Sequence, residues 1–212
     1  MSERPVERRQ TFVQVGEAFE RFLHDVDLGR QELTENPGRG TTTLDLGMLT
    51  FRKRAATLGL STVQLEQAEA EARRQFRKGT ALCESPIERD ALAALILAPW
   101  AGFGTIPPLV HDAKADGALP AGDIVIVPQM AFVRFRLDFA VVVEIGGVRR
   151  IVALECDGEE YHQDHLKDEA RDDYLKSWQV PVFRVRGKDL HTEADDAIRA
   201  AVNHVNDLKA LE

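Results

Sequence analysis

Ile151-Val152-Ala153-Leu154-Glu155-Cys156-Asp157-Gly158 is the stretch on which the fold turns. Ile151–Leu154 reads as a buried strand, rich in the branched side chains that pack well on a pleated surface. Carboxylates are out of place at the end of such a run, because burying an unpaired charge is costly. Glu155 and Asp157 nevertheless stand two residues apart, and the period of a strand puts them on one face. Just upstream, Glu144-Ile145-Gly146-Gly147 reads as a hairpin turn. Arg150–Cys156 is then the partner of a long strand over Phe132–Val143. That strand carries Asp138 in its middle, within Arg134-Phe135-Arg136-Leu137-Asp138-Phe139-Ala140. The hairpin brings Asp138 toward Glu155 and Asp157. Three carboxylates gathered at strand ends repel one another unless a cation or protons neutralise them. An all-oxygen donor set suits a hard ion such as Mg²⁺.

Outward from the hairpin, Ile124–Val127 reads as a short strand and residues 100–122, rich in Gly, Pro and Ala, as loop. Ser85-Pro86-Ile87-Glu88 opens a helix that runs to about Leu97, with Ser as cap, Pro at the first helical position and Glu at the third. On the other side, helices are expected over about Asp164–Trp178 and Ala194–Leu211, with a strand over Pro181–Val185 between them. The element order is α–β–β–β–α–β–α.

Residues 1–80 differ in pattern, and no strand-like alternation occurs before residue 100. Phe12, Val15, Phe19, Phe22, Leu23 and Val26 recur at helical spacing, and Asn36-Pro37-Gly38-Arg39-Gly40 breaks the chain. A helix is expected over about Leu44–Leu58. A third follows Ser61, which with Gln64 forms a capping box; Val63, Leu65, Ala68, Ala72 and Phe76 form its apolar side. The chain divides into a helical region over 1–80 and a mixed domain over 81–212. The first carries a net charge of +1 and the second −9, within the overall −8.

The residues after Asp157 extend the acidic cluster into a reactive constellation. Gly158-Glu159-Glu160-Tyr161-His162 places an imidazole just beyond the carboxylates. Lys167 and Arg171 share a face of the next helix, and Arg184 lies in the strand after it. Phosphodiester hydrolysis needs this set: a metal to polarise the phosphate, a base to take a proton from water, and cations for the developing charge. Each residue also has a plainer reading. Glu88 fits a helix-capping role, Asp138 an ion pair with Arg134 or Arg136, and Asp157-Gly158 a strand-ending turn. Lys167, Asp168, Arg171 and Asp172 fit a solvated helix face, and Cys156 a small core residue.

Arg136-Leu137-Asp138-Phe139, Leu154-Glu155-Cys156-Asp157-Gly158-x-x-Tyr161-His162, Arg171-Asp172-x-x-Leu175 and Val182-x-Arg184 together resemble the PD-(D/E)XK nuclease superfamily. Within it they are similar to the branch of very-short-patch-repair endonucleases. The resemblance covers roughly residues 85–190. It implies an α/β fold with a restriction-endonuclease-like α-β-β-β-α-β core around a mixed central sheet, matching the order read above. It also implies a Mg²⁺- or Mn²⁺-dependent endonuclease hydrolysing DNA phosphodiester bonds, in repair, restriction-like defence or a mobile element. Asp138 and Glu155 match its metal carboxylates, with Asp157 beside them. Glu88 matches its first-helix acid, which orients the attacking water or completes the ion's shell. Gln129 fits the branch as well. Where the superfamily has E-x-K, this chain has Glu155-Cys156-Asp157; Asp157, Gly158 and His162 match the branch's replacement for the lysine. His162 would serve as base or phosphate-contacting acid. Lys167, Arg171 and Arg184 would contact phosphate or brace the carboxylates. The missing lysine gives the second reading, a catalytically inactive nucleic-acid-binding or regulatory module on the same fold.

Composition narrows the remaining classes. At 212 residues, 44% hydrophobic and 29% charged, the chain has ordinary globular composition. A net charge of −8 excludes a uniformly basic nucleic-acid coat protein but not a local basic groove. Two cysteines, Cys83 and Cys156, are too few for a disulfide scaffold or a four-cysteine zinc site. The polar start and the short apolar runs predict a cytoplasmic chain without a membrane partner. The stretch Arg52–Ser61 and the helix after it resemble a helix-turn-helix entry, with Thr62 and Gln64 toward bases; a helical hairpin packed on the core is the competing reading. The apolar helix face of residues 12–26 suggests a homodimer or a protein partner.

Overall fold

The computed structural model describes residues 43–57, 59–100, 107–120, 124–157, 165–186 and 193–211. The helix expected over residues 12–26, Gly158 and His162 lie outside them. The elements are helices α1 (Thr43–Thr57), α2 (Thr62–Thr80) and α3 (Pro86–Leu97), strands β1 (Leu109–Val110), β2 (Ile124–Phe132), β3 (Phe135–Ile145) and β4 (Val148–Asp157), helix α4 (His165–Ser177), strand β5 (Val182–Arg186) and helix α5 (Glu193–Ala210). The fold is mixed α/β. One five-stranded sheet runs in the order β1-β2-β3-β4-β5, with parallel pairs at both edges and an antiparallel meander between.

The helices begin where their caps dictate. Ser61 Oγ accepts the Gln64 N–H at 3.3 Å while Gln64 Oε1 accepts the Ser61 N–H at 3.0 Å, a complete capping box on α2. Ser85 Oγ accepts the Glu88 N–H at 3.2 Å at the head of α3. The β3–β4 turn is made by Gly146 and Gly147, both at positive φ (58° and 74°), as a two-residue turn matched to strand twist requires.

The strands of the sheet separate two buried clusters. One face packs Leu44, Met48 and Phe51 of α1, Ala68 and Ala72 of α2, the Ala91–Leu97 stretch of α3 and Ile198, Ala201, Val202 and Val205 of α5 against Phe139, Val141, Val152 and Leu154. The other packs Leu175 of α4 and Val180 against Val125, Val127, Ala140, Val142 and Ala153. The sheet therefore lies between a thick helical layer and one helix, and its apolar strand runs are covered on both sides. Among the described residues no helix is long and apolar enough to cross a membrane.

Several expectations are corrected. The loop of residues 100–122 contains β1, whose Val110 N–H is held by the buried Gln75 Oε1 at 2.7 Å from α2. β2 runs five residues past Val127, to Phe132, and the chain turns at Val133 (φ 54°) before β3 starts at Phe135. Val63 is 61% exposed, so it does not belong to the apolar side of α2, which packs through Leu65, Ala68, Ala72 and Phe76.

Candidate functional site

The ladder between β3 and β4 ends at Phe139 opposite Leu154. One step further along the same register, Asp138 stands opposite Glu155. Here the strands part: the Cys156 N–H goes to the Asp138 carboxylate (Oδ2, 2.7 Å), while Glu155 stays paired through β4 with Arg184 of β5. The carboxylates thus occupy the mouth of a fork between two strands. Glu155 shares the parity of Ala153 and faces α4.

From α4, Arg171 Nη2 donates to Glu155 Oε1 at 2.6 Å and to the Arg136 carbonyl at 3.0 Å. One residue on, Asp172 takes a two-pronged bond from Arg184 (2.7 and 2.8 Å), whose Nε lies 3.6 Å from Asp157 Oδ2. Arg171 and Arg184 therefore brace carboxylates in this structure. From α3, the buried Glu88 turns its Oε2 to the Glu84 N–H and to Gln129 Nε2, each at 2.8 Å. The capping-box reading of Glu88 is corrected in detail: its carboxylate reaches the residue before the cap, not the cap itself. The expected pairing of Asp138 with Arg134 or Arg136 does not form. Arg136 pairs instead with Glu84 at 2.8 Å, and Arg134 lies over aromatic rings.

Burial dominates the electrostatics. It pushes the Glu155 carboxyl up to about 7, with Asp138 adding to the rise and Arg171 opposing it. Asp138 is raised too, first by burial and then by the charges of Glu88 and Asp157, against the Cys156 N–H and Arg171. The Cys156 thiol is driven far up by burial and by Asp138, Glu88 and Glu155, which keeps it neutral and unreactive. A site that raises its acids in this way favours a proton or a cation over free charge. Asp138 Oδ1 and Glu155 Oε2 take no hydrogen bond from a described residue, which leaves one oxygen from each for such a cation. Among the described residues no three His, Cys, Asp or Glu side chains group closely enough to hold an ion by themselves. The donor set suits Mg²⁺, which keeps several waters and often takes only one or two carboxylates.

Of the sequence-predicted residues, the structure brings together Glu88, Asp138, Glu155, Asp157, Arg171 and Arg184. Lys167 falls within α4, but its side chain lies outside the described set, as does His162. The part played by the Gln129 backbone was not legible. Gln129 falls opposite Asp138 in the β2–β3 register but makes no ladder pair there, and its φ is 52°. That left-handed geometry is unusual for a residue with a side chain. It accompanies the turn of its amide toward Glu88, while its Oε1 is buried without a partner among the described residues. Comparison of the chain with known protein families, curated proteins and solved structures gives no match.

Proposed function

We propose that the chain is a metal-dependent endonuclease on a restriction-endonuclease-like core, similar to the very-short-patch-repair branch, and that it hydrolyses DNA phosphodiester bonds. The observation that carries this reading is the facing pair Asp138 and Glu155 at the point where β3 and β4 part. Asp138 and Glu155 would hold Mg²⁺ or Mn²⁺ through their uncommitted oxygens, and the ion when bound supplies Lewis-acid stabilisation of the phosphate. The chain's own residues set the geometry. The Cys156 N–H fixes the Asp138 carboxylate, and Arg171 orients Glu155 from α4. Glu88, held by Gln129 and the Glu84 N–H, borders the same acids and would orient water. Asp157 completes the acidic rim beside Arg184, and His162 is the proposed proton carrier. Lys167 adds positive charge on the strand-facing helix for the phosphate backbone.

A second reading, a module that binds nucleic acid without cutting it, has one observation in its favour: Arg171 already occupies one Glu155 oxygen in a chain without the E-x-K lysine. Cleavage of supercoiled plasmid and single-stranded DNA with Mg²⁺ or Mn²⁺ tests both, with EDTA and Asp138→Ala as controls. Metal-dependent cuts that vanish in the variant support the nuclease. Binding with no cut in any metal supports the second reading.

A further inference from the structure

Beside the fork lies a surface that the proposed reaction does not use. Phe132 and Phe135 flank the β2–β3 turn, and Tyr174 and Trp178 lie along and just past the end of α4. Phe132 meets Trp178 edge to face (centroids 6.3 Å, planes 89° apart), and Phe135 meets Tyr174 in the same manner at 5.4 Å. Tyr174 and Trp178 are 6.4 Å apart. Trp178 is 56% exposed and the neighbouring Val133 is 64% exposed. Trp178 is also held in place: the Gln179 N–H bonds to the Lys176 carbonyl and the Val180 N–H to the Leu175 carbonyl, with Gln179 at φ 59°, a Schellman-type end to α4.

The surface carries positive charge as well. The Arg134 guanidinium lies 4.6 Å from the Tyr174 ring centre and 5.0 Å from that of Phe135, and no carboxylate among the described residues pairs with it. Arg171 lies 5.7 Å from the Phe135 ring while its Nη2 holds Glu155, so the ring surface runs directly into the carboxylate fork. The exposed Trp178, the half-buried rings beside it and an arginine that no described carboxylate pairs with form the combination that binds an unstacked base and its phosphate. A duplex keeps its bases stacked on one another and cannot offer one to Trp178 without being opened.

We propose that Trp178, Tyr174, Phe135 and Arg134 form a stacking site for an unpaired base of single-stranded nucleic acid, feeding the strand toward Asp138 and Glu155. The inference deepens the nuclease reading by naming the form of its substrate, but the stacking can be measured without cleavage. The other tryptophan, Trp100, is buried and bonded to the Leu95 carbonyl. A change in fluorescence when a ligand or a surface quencher is added therefore reports Trp178.

The test is a titration of the full chain in EDTA with a short mixed-sequence oligodeoxynucleotide, single-stranded or annealed to its complement. The single strand is expected to quench Trp178 and shield it from iodide, and the duplex to bind more weakly. Trp178→Ala should weaken single-strand binding by about 5- to 150-fold, the range for loss of one stacked base, while Trp178→Tyr keeps most of it; circular dichroism confirms the fold of each variant. Equal affinity of wild type and Trp178→Ala for the single strand overturns the proposal. So does Trp178-dependent self-association in sedimentation with no quenching, which would assign the surface to a second copy of the chain. Quenching that persists in a protein that never cuts with Mg²⁺ or Mn²⁺ supports the stacking site and removes the nuclease reading. Cutting and single-strand binding that are both unaffected by Trp178→Ala remove the stacking site and leave the nuclease.

Discussion

Glu155 sits where two demands on one carboxylate conflict. The sheet buries it, and Arg171 rewards its charge with a 2.6 Å bond; burial wins, and the group titrates at about 7 rather than near 4.5. Between those two values the folded chain holds a proton that the unfolded chain has lost. Stability without metal is therefore fully present below about 4.5 and declines as the pH rises through 7. Glu155→Gln removes that decline, so its melting temperature in EDTA should exceed that of wild type at pH 8 and converge with it near pH 4. Each kcal/mol corresponds to about 2–4 °C for a chain of this size. Thermal scans across pH check this, and parallel curves for the two proteins would contradict it. Arg171 opposes the rise, so Arg171→Met should move the Glu155 titration higher still, as read by carboxyl-carbon NMR. Mg²⁺ bound at the fork would act in the opposite sense: saturating metal at pH 8 should raise the wild-type melting temperature and leave Asp138→Ala unchanged.

At the scale of elements, α2 and α3 meet at a glycine. A Cβ on Gly79 would stand 2.6 Å from Leu92 Cδ2 and 3.1 Å from Val110 Cγ1, and Leu92 is fully buried. Gly79→Ala gains about 1 kcal/mol of helix propensity but overpacks a closed core, which costs roughly 1–3 kcal/mol. The net expectation is a lower urea midpoint with an unchanged slope. The features that were legible in the sequence are local ones. Ser61 with Gln64, Ser85 with Pro86 and the Gly146-Gly147 pair each act through neighbours a few residues away, so their elements begin and end close to expectation. The carboxylate cluster was legible because a strand's period and a tight turn suffice to relate Asp138, Glu155 and Asp157. The features that escaped depend on distant partners. β1 forms by pairing with β2, and Gln75, 35 positions earlier, supplies an acceptor for its Val110 N–H. The left-handed Gln129 accompanies a bond to Glu88 across 41 positions. Neither contact leaves a periodic or compositional trace, and neither does the pairing of Arg136 with Glu84 in place of Asp138.

For the whole molecule, the helices before residue 81 are part of what closes the sheet. Leu44, Met48 and Phe51 of α1 and Ala72 of α2 share one buried cluster with α3, β3, β4 and α5. α1 approaches α3 so closely that a Cβ on Gly47 would stand 2.6 Å from Leu97 Cδ1. Arg52 and the buried Glu69 tie α1 to α2 with two bonds, and Arg73 reaches Asp45 at 2.8 Å. Burial of a large apolar side chain is worth about 1.5–3 kcal/mol, so losing Leu44, Met48 and Phe51 alone removes on the order of 5–9 kcal/mol. A domain is stable by only about 5–15 kcal/mol in total. A fragment of residues 81–212 would in addition bare the α3 face that α1 and α2 cover. It should therefore be unfolded or aggregated under conditions where the full chain melts in one cooperative transition, with near- and far-ultraviolet circular dichroism changing together. The carboxylate fork depends on the same packing, because Glu88 reaches it from α3. Loss of the α1–α2 cover is thus expected to abolish Mg²⁺-dependent stabilisation along with the fold. A fragment that kept a sharp transition near the full-length temperature and still responded to Mg²⁺ would show that the sheet and its site stand without those two helices.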